Sequence, residues 1–169
     1  FLFFFRGWGK LAAVISVATI ISYLTGPVSA MTLRRTAANA HRPLRMPGLP
    51  LFACLAFVFS TELLYWAKWP LTGEIILLVI VALPIYFYYQ HRNGWKDFGR
   101  QLAGARWLIG YMPTMAAVSW AGSAKFGGQD WIPYGWDLLV VAIIGVVFYV
   151  WGLRCGWATP EIVELFPPS

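Results

Sequence analysis

The chain has 169 residues, of which 59% are hydrophobic and only 12% are charged, and its formal net charge is +6. A soluble domain carries about 25% charged residues, so this composition excludes a water-soluble globule and predicts a polytopic membrane protein. The basic excess does not indicate nucleic acid binding, because the basic residues lie in short loops beside apolar runs, where they orient membrane spans.

Apolar runs follow one another along the chain and predict an all-α integral membrane fold. Each run is close to the roughly 20 residues that a helix needs to cross a bilayer. The backbone of a segment in lipid must satisfy its own hydrogen bonds, which favours helices over open strands. We therefore expect a single membrane domain over residues 1–169, with five spans at 11–33, 49–66, 74–90, 106–122 and 136–154.

Basic residues in the loops predict the direction of these spans. Most of them fall in and around the loops 34–48 and 91–105, and together with Arg154 they give nine basic residues on one side against four on the other. Positive charge is retained on the cytoplasmic side, so we expect both loops and the C-terminus to be cytoplasmic. The first loop contains the residues that we expect to determine topology: Arg34, Arg35, Arg42 and Arg45.

The start of the chain suggests that a preceding segment is missing. The sequence begins with Phe1-Leu2-Phe3-Phe4-Phe5 and has no initiator methionine, and the charge bias places this stub on the outer side. A chain that emerges outside needs an upstream span to reach that side. We expect the C-terminal part of a larger transporter or channel, while an isolated five-helix protein stays open as the alternative.

The first span carries a stripe of polar and small residues. Ser16, Thr19, Tyr23 and Gly26 recur at i, i+3, i+7 and i+10, which places them on one helical face among apolar neighbours. Such a face is expected to meet other helices or a water-filled path. Two interpretations follow: tight helix packing through small residues, or the lining of a substrate or ion pathway by Ser16, Thr19 and Tyr23.

Glu62 is the one carboxylate well inside an apolar run of the sequence. An ionisable residue within the membrane is a candidate for function, and here the candidate function is proton coupling. The predicted orientation also places Glu62 about one turn from the outer interface, where it could reach headgroups or Lys68. No paired carboxylates, zinc motif or glycine-rich phosphate loop is found in the sequence, so we expect no catalytic site, no metal, no cofactor and no enzymatic activity.

Several segments resemble a known family. Tyr23–Ser29, Leu33–Arg35 and Arg42–Gly48 resemble the end of the tenth helix and the following loop of bacterial amino acid permeases in the amino acid–polyamine–organocation superfamily. The segment Ile132–Val141 looks like the last helix of the members with two extra C-terminal spans, such as aspartate–proton symporter-like permeases. The resemblance covers nearly the whole chain.

This resemblance implies an inverted-repeat transporter fold, in which the chain supplies helices ten to fourteen. It implies a secondary active, proton-coupled amino acid permease of the bacterial inner membrane that works by alternating access. The family's main substrate contacts belong to the broken first and sixth helices, which precede this part. Only Ser16, Thr19 and Tyr23 would line the pathway, since the tenth helix flanks the vestibule. A self-contained small membrane protein with a structural or assembly role is the alternative.

Overall fold

The computed structural model describes residues 8–41, 46–92, 94–95 and 98–158, and these ranges form helices joined by short connections without any strand. The expected all-α fold is thus confirmed. The long helices are α1 (Trp8–Thr36), α2 (Leu49–Trp66), α3 (Leu71–Arg92), α4 (Phe98–Ala121) and α5 (Trp136–Cys155), and a short 3-10 helix, Ala124–Phe126, lies between the last two.

Four of the described helices, α1, α2, α3 and α5, are long and apolar enough to cross a membrane. The chain is therefore a multi-pass membrane protein. The remaining helix, α4, contains Arg100, Gln101 and Arg106 in its first half and is rich in small and hydroxyl-bearing residues, which lowers its apolar character. It begins well before the span expected at 106–122, and α1 and α3 likewise extend beyond the apolar runs at 11–33 and 74–90.

The helices pack around α2 and α5. α1 packs against both of them, α4 packs against α5, and α3 packs against α4. Aromatic rings fill the centre, where the ring centroid of Phe57 lies 5.8–5.9 Å from those of Trp107, Tyr111 and Tyr149. Such offset and edge-on pairs add to the energy gained by burial. The centre of the bundle is thus formed by three helices that are separated in sequence.

Glycines on α5 let its neighbours approach closely. A Cβ atom added at Gly145 would lie 3.3 Å from the Cα of Val58 on α2, and one added at Gly152 would lie 3.1 Å from Val28 Cγ1 on α1. Small residues at helix contacts are typical of membrane bundles, where van der Waals packing rather than hydrophobic burial drives association. These two positions bring α1 and α2 against the same helix.

The bundle has two chemically different ends. The arginine end comprises the end of α1, the start of α4 and the end of α5, and the tyrosine–aspartate end comprises the end of α2, the start of α3, the end of α4 and the start of α5. Every arginine in the described ranges lies at or near the arginine end: Arg34, Arg35, Arg92, Arg100, Arg106 and Arg154. The described carboxylates lie at the other end: Glu62, Glu74, Asp130 and Asp137.

Candidate functional site

The predicted stripe lies on the outward face of α1. Val17, Leu24 and Val28 point into the bundle and are almost fully buried. Ser16, Thr19 and Tyr23 are exposed, and the side chain of Tyr23 is 67% accessible. A Cβ atom added at Gly26 would meet no atom within 4 Å. The structure thus places the stripe residues together on one surface that faces away from the other described helices.

The hydroxyl groups of the stripe are bonded within their own helix. Ser16 Oγ donates to the carbonyl oxygen of Ala12 at 2.9 Å, and Thr19 Oγ1 donates to that of Ile15 at 2.8 Å. This back-bonding satisfies the donor in an apolar setting while the oxygen lone pairs remain available. The face can therefore accept hydrogen bonds from a polar group that approaches from outside the described bundle.

Glu62 lies on α2, one turn before the buried Tyr65. Its side chain is half-buried, and its Oε2 atom is buried without a hydrogen-bond partner within the described part of the chain. A buried carboxylate oxygen with no donor is costly, so such groups are rare unless they serve a purpose. Glu62, the predicted candidate for proton coupling, thus lies on a different helix from the stripe.

A buried polar network closes the tyrosine–aspartate end. Asp137 is completely buried, and its Oδ2 accepts a hydrogen bond from the Tyr65 hydroxyl at 2.8 Å. Its Oδ1 accepts bonds from the backbone N–H groups of Gly135 and Leu138, each at 2.8 Å, which places the carboxylate at the start of α5. The Tyr65 hydroxyl also accepts a bond from the Ser123 N–H at 3.3 Å. This network joins α2, α5 and the connection after α4.

The pairing of Tyr65 with Asp137 was not predicted from the sequence. Tyr65 and Asp137 lie 72 residues apart, and no spacing rule links a tyrosine on one helix to an aspartate at the start of another. An aspartate at the start of an apolar span is a sign in the sequence that a hydrogen-bond donor is needed nearby. The identity of that donor needed the tertiary structure.

Glycines next to this network leave no room for side chains. A Cβ atom added at Gly122 would collide with the hydroxyl oxygen of Tyr65, and one added at Gly128 would collide with the carbonyl oxygen of Gly122. Gly127 has a φ of +80°, and a Cβ atom added there would likewise collide with the carbonyl oxygen of Trp69. The connection between α4 and α5 therefore packs tightly over the end of α2.

The arginines expected to determine topology occupy the arginine end where they are described. Arg34 and Arg35 lie in the last turn of α1, and Arg35 Nη2 donates to the carbonyl oxygen of Gly156 at 2.9 Å. This bond links the ends of α1 and α5, which are far apart in sequence. Arg42 and Arg45 lie outside the described residues.

The described residues contain no group of three histidine, cysteine, aspartate or glutamate side chains that could hold a metal ion. Cys54, which is half-buried, and Cys155, which is buried, are both free thiols. The described part is distinguished by a polar outward face, one buried carboxylate oxygen without a hydrogen-bond partner and a basic end.

Three curated proteins of Bacillus subtilis are similar to this chain. It is 52% identical to the glutamate/serine transporter AimA over 164 residues, which cover 97% of this chain and 30% of that protein. It is 33% identical to an aspartate-proton symporter over 155 residues, which cover 90% of this chain and 29% of the relative. A branched-chain amino acid permease, BcaP, is 24% identical over 84 residues, half of this chain.

The chain spans about 30% of the length of the first two relatives. No protein-family model and no solved structure matches it. The similarity to amino acid transporters extends along nearly the whole chain, and the relatives are matched at their C-terminal parts. The sequence therefore fits the C-terminal part of an amino acid permease of the amino acid–polyamine–organocation superfamily.

Proposed function

We propose that this chain is the C-terminal part of a secondary active amino acid transporter of the bacterial inner membrane. The observation that carries the proposal is the 52% identity to a glutamate/serine transporter across 97% of the chain. The whole protein would move glutamate or serine across the membrane by alternating access. The 33% identity to an aspartate-proton symporter supports a proton as the coupling ion.

In this proposal the outward face of α1 meets the transport pathway. Ser16, Thr19 and Tyr23 are exposed together, and hydroxyl oxygens on an apolar helix can accept hydrogen bonds from an ammonium group or from water. The main substrate contacts would come from parts of the transporter that precede this chain. The three residues would then form one wall of the route to the substrate site.

Glu62 is the candidate for proton coupling within this chain. A carboxylate oxygen that is buried near the end of a span, without a donor among the described residues, is a group for which gaining a proton would relieve the burial of charge. Such a group can exchange a proton with the aqueous phase when the transporter changes conformation. The carboxylate at the exposed start of α3, Glu74, provides a comparison that lacks this burial.

The distribution of arginines supports one membrane orientation. The arginine end would face the cytoplasm, together with the loops 34–48 and 91–105 and the C-terminus. The acidic tyrosine–aspartate end would face outward. Labelling single cysteines introduced at exposed Asn39 and exposed Gln129 with a membrane-impermeant maleimide tests this orientation. We expect labelling of intact cells at position 129 alone, and labelling at position 39 alone would contradict it.

Uptake by the full-length protein tests the transport function. Cells that express it should accumulate labelled glutamate or serine above vector controls, and a protonophore should abolish the accumulation. Excess unlabelled glutamate or serine should compete, whereas lysine should not. A full-length protein that reaches the membrane and gives no uptake of any amino acid would contradict the proposal.

A further inference from the structure

Glu62 lies on the face of α2 that meets α5. A Cβ atom added at Gly145 on α5 would lie 3.3 Å from the Cα of Val58. Further along the same two helices, the Tyr65 hydroxyl donates to Asp137 Oδ2 at 2.8 Å. Glu62 follows Val58 by four residues and precedes Tyr65 by three, so all three lie on the same side of α2. The half-buried Glu62 therefore lies between two positions that touch α5.

Two tyrosine hydroxyl groups near Glu62 are already bonded to other residues. The Tyr65 hydroxyl donates to Asp137. The Tyr111 hydroxyl, on α4, donates to the Oγ1 atom of Thr61, the residue just before Glu62, at 3.0 Å. A tyrosine has one hydrogen to donate, so neither hydroxyl can donate to Glu62 at the same time. This accounts for the buried Oε2 atom that has no hydrogen-bond partner within the described part of the chain.

Asp137 supplies a fixed negative charge next to this face. Its carboxylate is completely buried, and three hydrogen bonds and the start of α5 stabilise its charged form. Asp137 is bonded to Tyr65, one turn from Glu62, and the two carboxyl groups are close enough for their charges to interact. A neighbouring charge of the same sign makes the ionisation of a carboxyl group less favourable.

Asp137 differs in burial from the other charged and titratable side chains around Glu62. It is the one charged side chain that is fully buried in the described ranges. The side chains that α1, α3 and the connections contribute away from the arginine end are exposed: Lys10, Tyr23, Lys68, Glu74, Lys125, Asp130 and Tyr134. Water screens exposed charges far more than buried ones, so Asp137 is placed to act most strongly on Glu62.

We propose that Asp137 sets the pH range over which Glu62 binds and releases a proton. Asp137 is a positioning residue, because it acts on Glu62 through its charge, which Tyr65 and two backbone N–H groups hold in place. The inference rests on the coupling role proposed above for Glu62. The interaction of the two carboxyl groups can nevertheless be measured without transport.

An infrared titration of the purified full-length protein measures the effect on Glu62 directly. A protonated carboxyl group has a carbonyl stretch distinct from that of a carboxylate, and the Glu62 band is the one lost in Glu62→Gln. Asp137→Asn keeps the shape of the side chain and an oxygen for the backbone N–H groups but removes the charge. The midpoint of the Glu62 band should move about one pH unit toward acid, because no neighbouring anion then favours the protonated form.

Matched variants separate the charge of Asp137 from its place in the structure. Asp137→Glu retains the charge and should keep the midpoint close to that of the unchanged protein. Asp137→Ser retains a helix cap without a charge and should shift the midpoint like Asp137→Asn, so one of these two variants suffices if the other fails to fold. Asp130→Asn removes an exposed carboxylate at the same end and should leave the midpoint unchanged. Charges elsewhere in the protein are common to all these variants and cancel in the comparison.

Uptake by the same variants tests whether the two carboxyl groups act together in transport. The pH profile of uptake should move with the infrared midpoint, about one unit toward acid for Asp137→Asn and not at all for Asp130→Asn. A purely structural role of Asp137 would instead lower uptake by the same factor at every pH.

Three results would overturn the proposal. Equal infrared midpoints in the unchanged protein and in a folded variant without the Asp137 charge would show that this charge does not act on Glu62. An equal shift in Asp137→Glu would assign the change to packing. The absence of any band that disappears in Glu62→Gln would show that Glu62 stays ionised. An infrared shift without a shift of the uptake profile would contradict the coupling role of Glu62 and leave the interaction of the two carboxyl groups standing.

Discussion

The two ends of the bundle differ in how closely their helix ends are held together. At the tyrosine–aspartate end, a buried carboxylate receives three hydrogen bonds and glycines bring the α4–α5 connection against Tyr65. At the arginine end, α1, α4 and α5 diverge around a groove, and one side-chain bond, from Arg35 to Gly156, links two of them. One end is therefore closed by its own side chains, whereas the other keeps an open groove between its helices.

The largest expected difference between the ends concerns two glycines of α4 and its connection. Gly122→Ala places a methyl group against the Tyr65 hydroxyl, and overpacking plus the disturbed buried network should lower the free energy of unfolding by about 3 kcal/mol. Gly99→Ala, at the arginine end, meets no atom within 4 Å and should be neutral or stabilise by up to about 1 kcal/mol. Thermal unfolding of the full-length protein in detergent measures both. Equal effects would remove the distinction between the ends.

Two tyrosines, one toward each end, allow the same difference to be tested by removing a single hydroxyl group. Tyr65→Phe leaves the buried Asp137 Oδ2 and the Ser123 N–H without this partner and should cost about 2 kcal/mol. Tyr149→Phe removes a long bond of 3.4 Å to the carbonyl oxygen of Pro50, toward the arginine end, and should cost less than about 1 kcal/mol. Thermal unfolding again measures the two variants. A larger loss for the Tyr149 variant would contradict the assignment of the tight network to Asp137.

A substitution at Glu62 tests whether the tyrosine–aspartate end takes part in proton coupling. In the full-length protein, lowering the external pH by one unit raises the external proton concentration tenfold. Uptake should then increase up to about tenfold if a proton drives transport. Glu62→Gln should make uptake independent of pH, because the amide cannot exchange a proton. Glu74→Gln, on an exposed carboxylate in the first turn of α3, should retain the dependence. An unchanged pH dependence in the Glu62 variant would exclude it from proton coupling.

The smallest expected effect compares two faces of α1. Thr19→Val removes a hydroxyl group from the outward stripe, and the loss of about one hydrogen bond to substrate or water should reduce uptake about fivefold. Thr25→Val makes the same change about 120° around the helix and should leave uptake unchanged. Both threonines are exposed and bond to their own helix, so expression and stability should match. Equal uptake by the two variants would remove the stripe from the pathway.

The sequence predicted the fold class because composition and hydrophobic runs depend on local chemistry. The run at 49–66 coincides with α2, since Pro50 and left-handed Gly48 mark its start and the apolar residues end at Trp66. The apolar run at 106–122 did not predict where α4 begins. Arg100 and Gln101 are polar enough to read as loop, yet they continue α4, because a helix can extend past the hydrocarbon into the interface.

For the outward stripe on α1, the sequence predicted a shared helical face but not the direction of that face. The periodicity of Ser16, Thr19 and Tyr23 required a common face, and the structure shows that face exposed. Periodicity could not decide whether the face pointed into the bundle, because Val17 and Leu24 define an alternative face on the same helix that is equally regular. That choice depends on which side meets α2 and α5. The burial of Val17 and Leu24, and the packing of Gly152 against Val28, show which side it is.

The sequence by itself determined that this protein lies in a membrane, that it is helical and that its basic residues cluster in particular loops. These properties follow from residue types and their spacing along one helix or loop. The tertiary structure alone decided that Tyr65 meets Asp137 and that Arg35 meets Gly156. Those contacts join residues separated by tens of positions, and the physical reason is that helix packing, rather than local propensity, sets which distant side chains share a space.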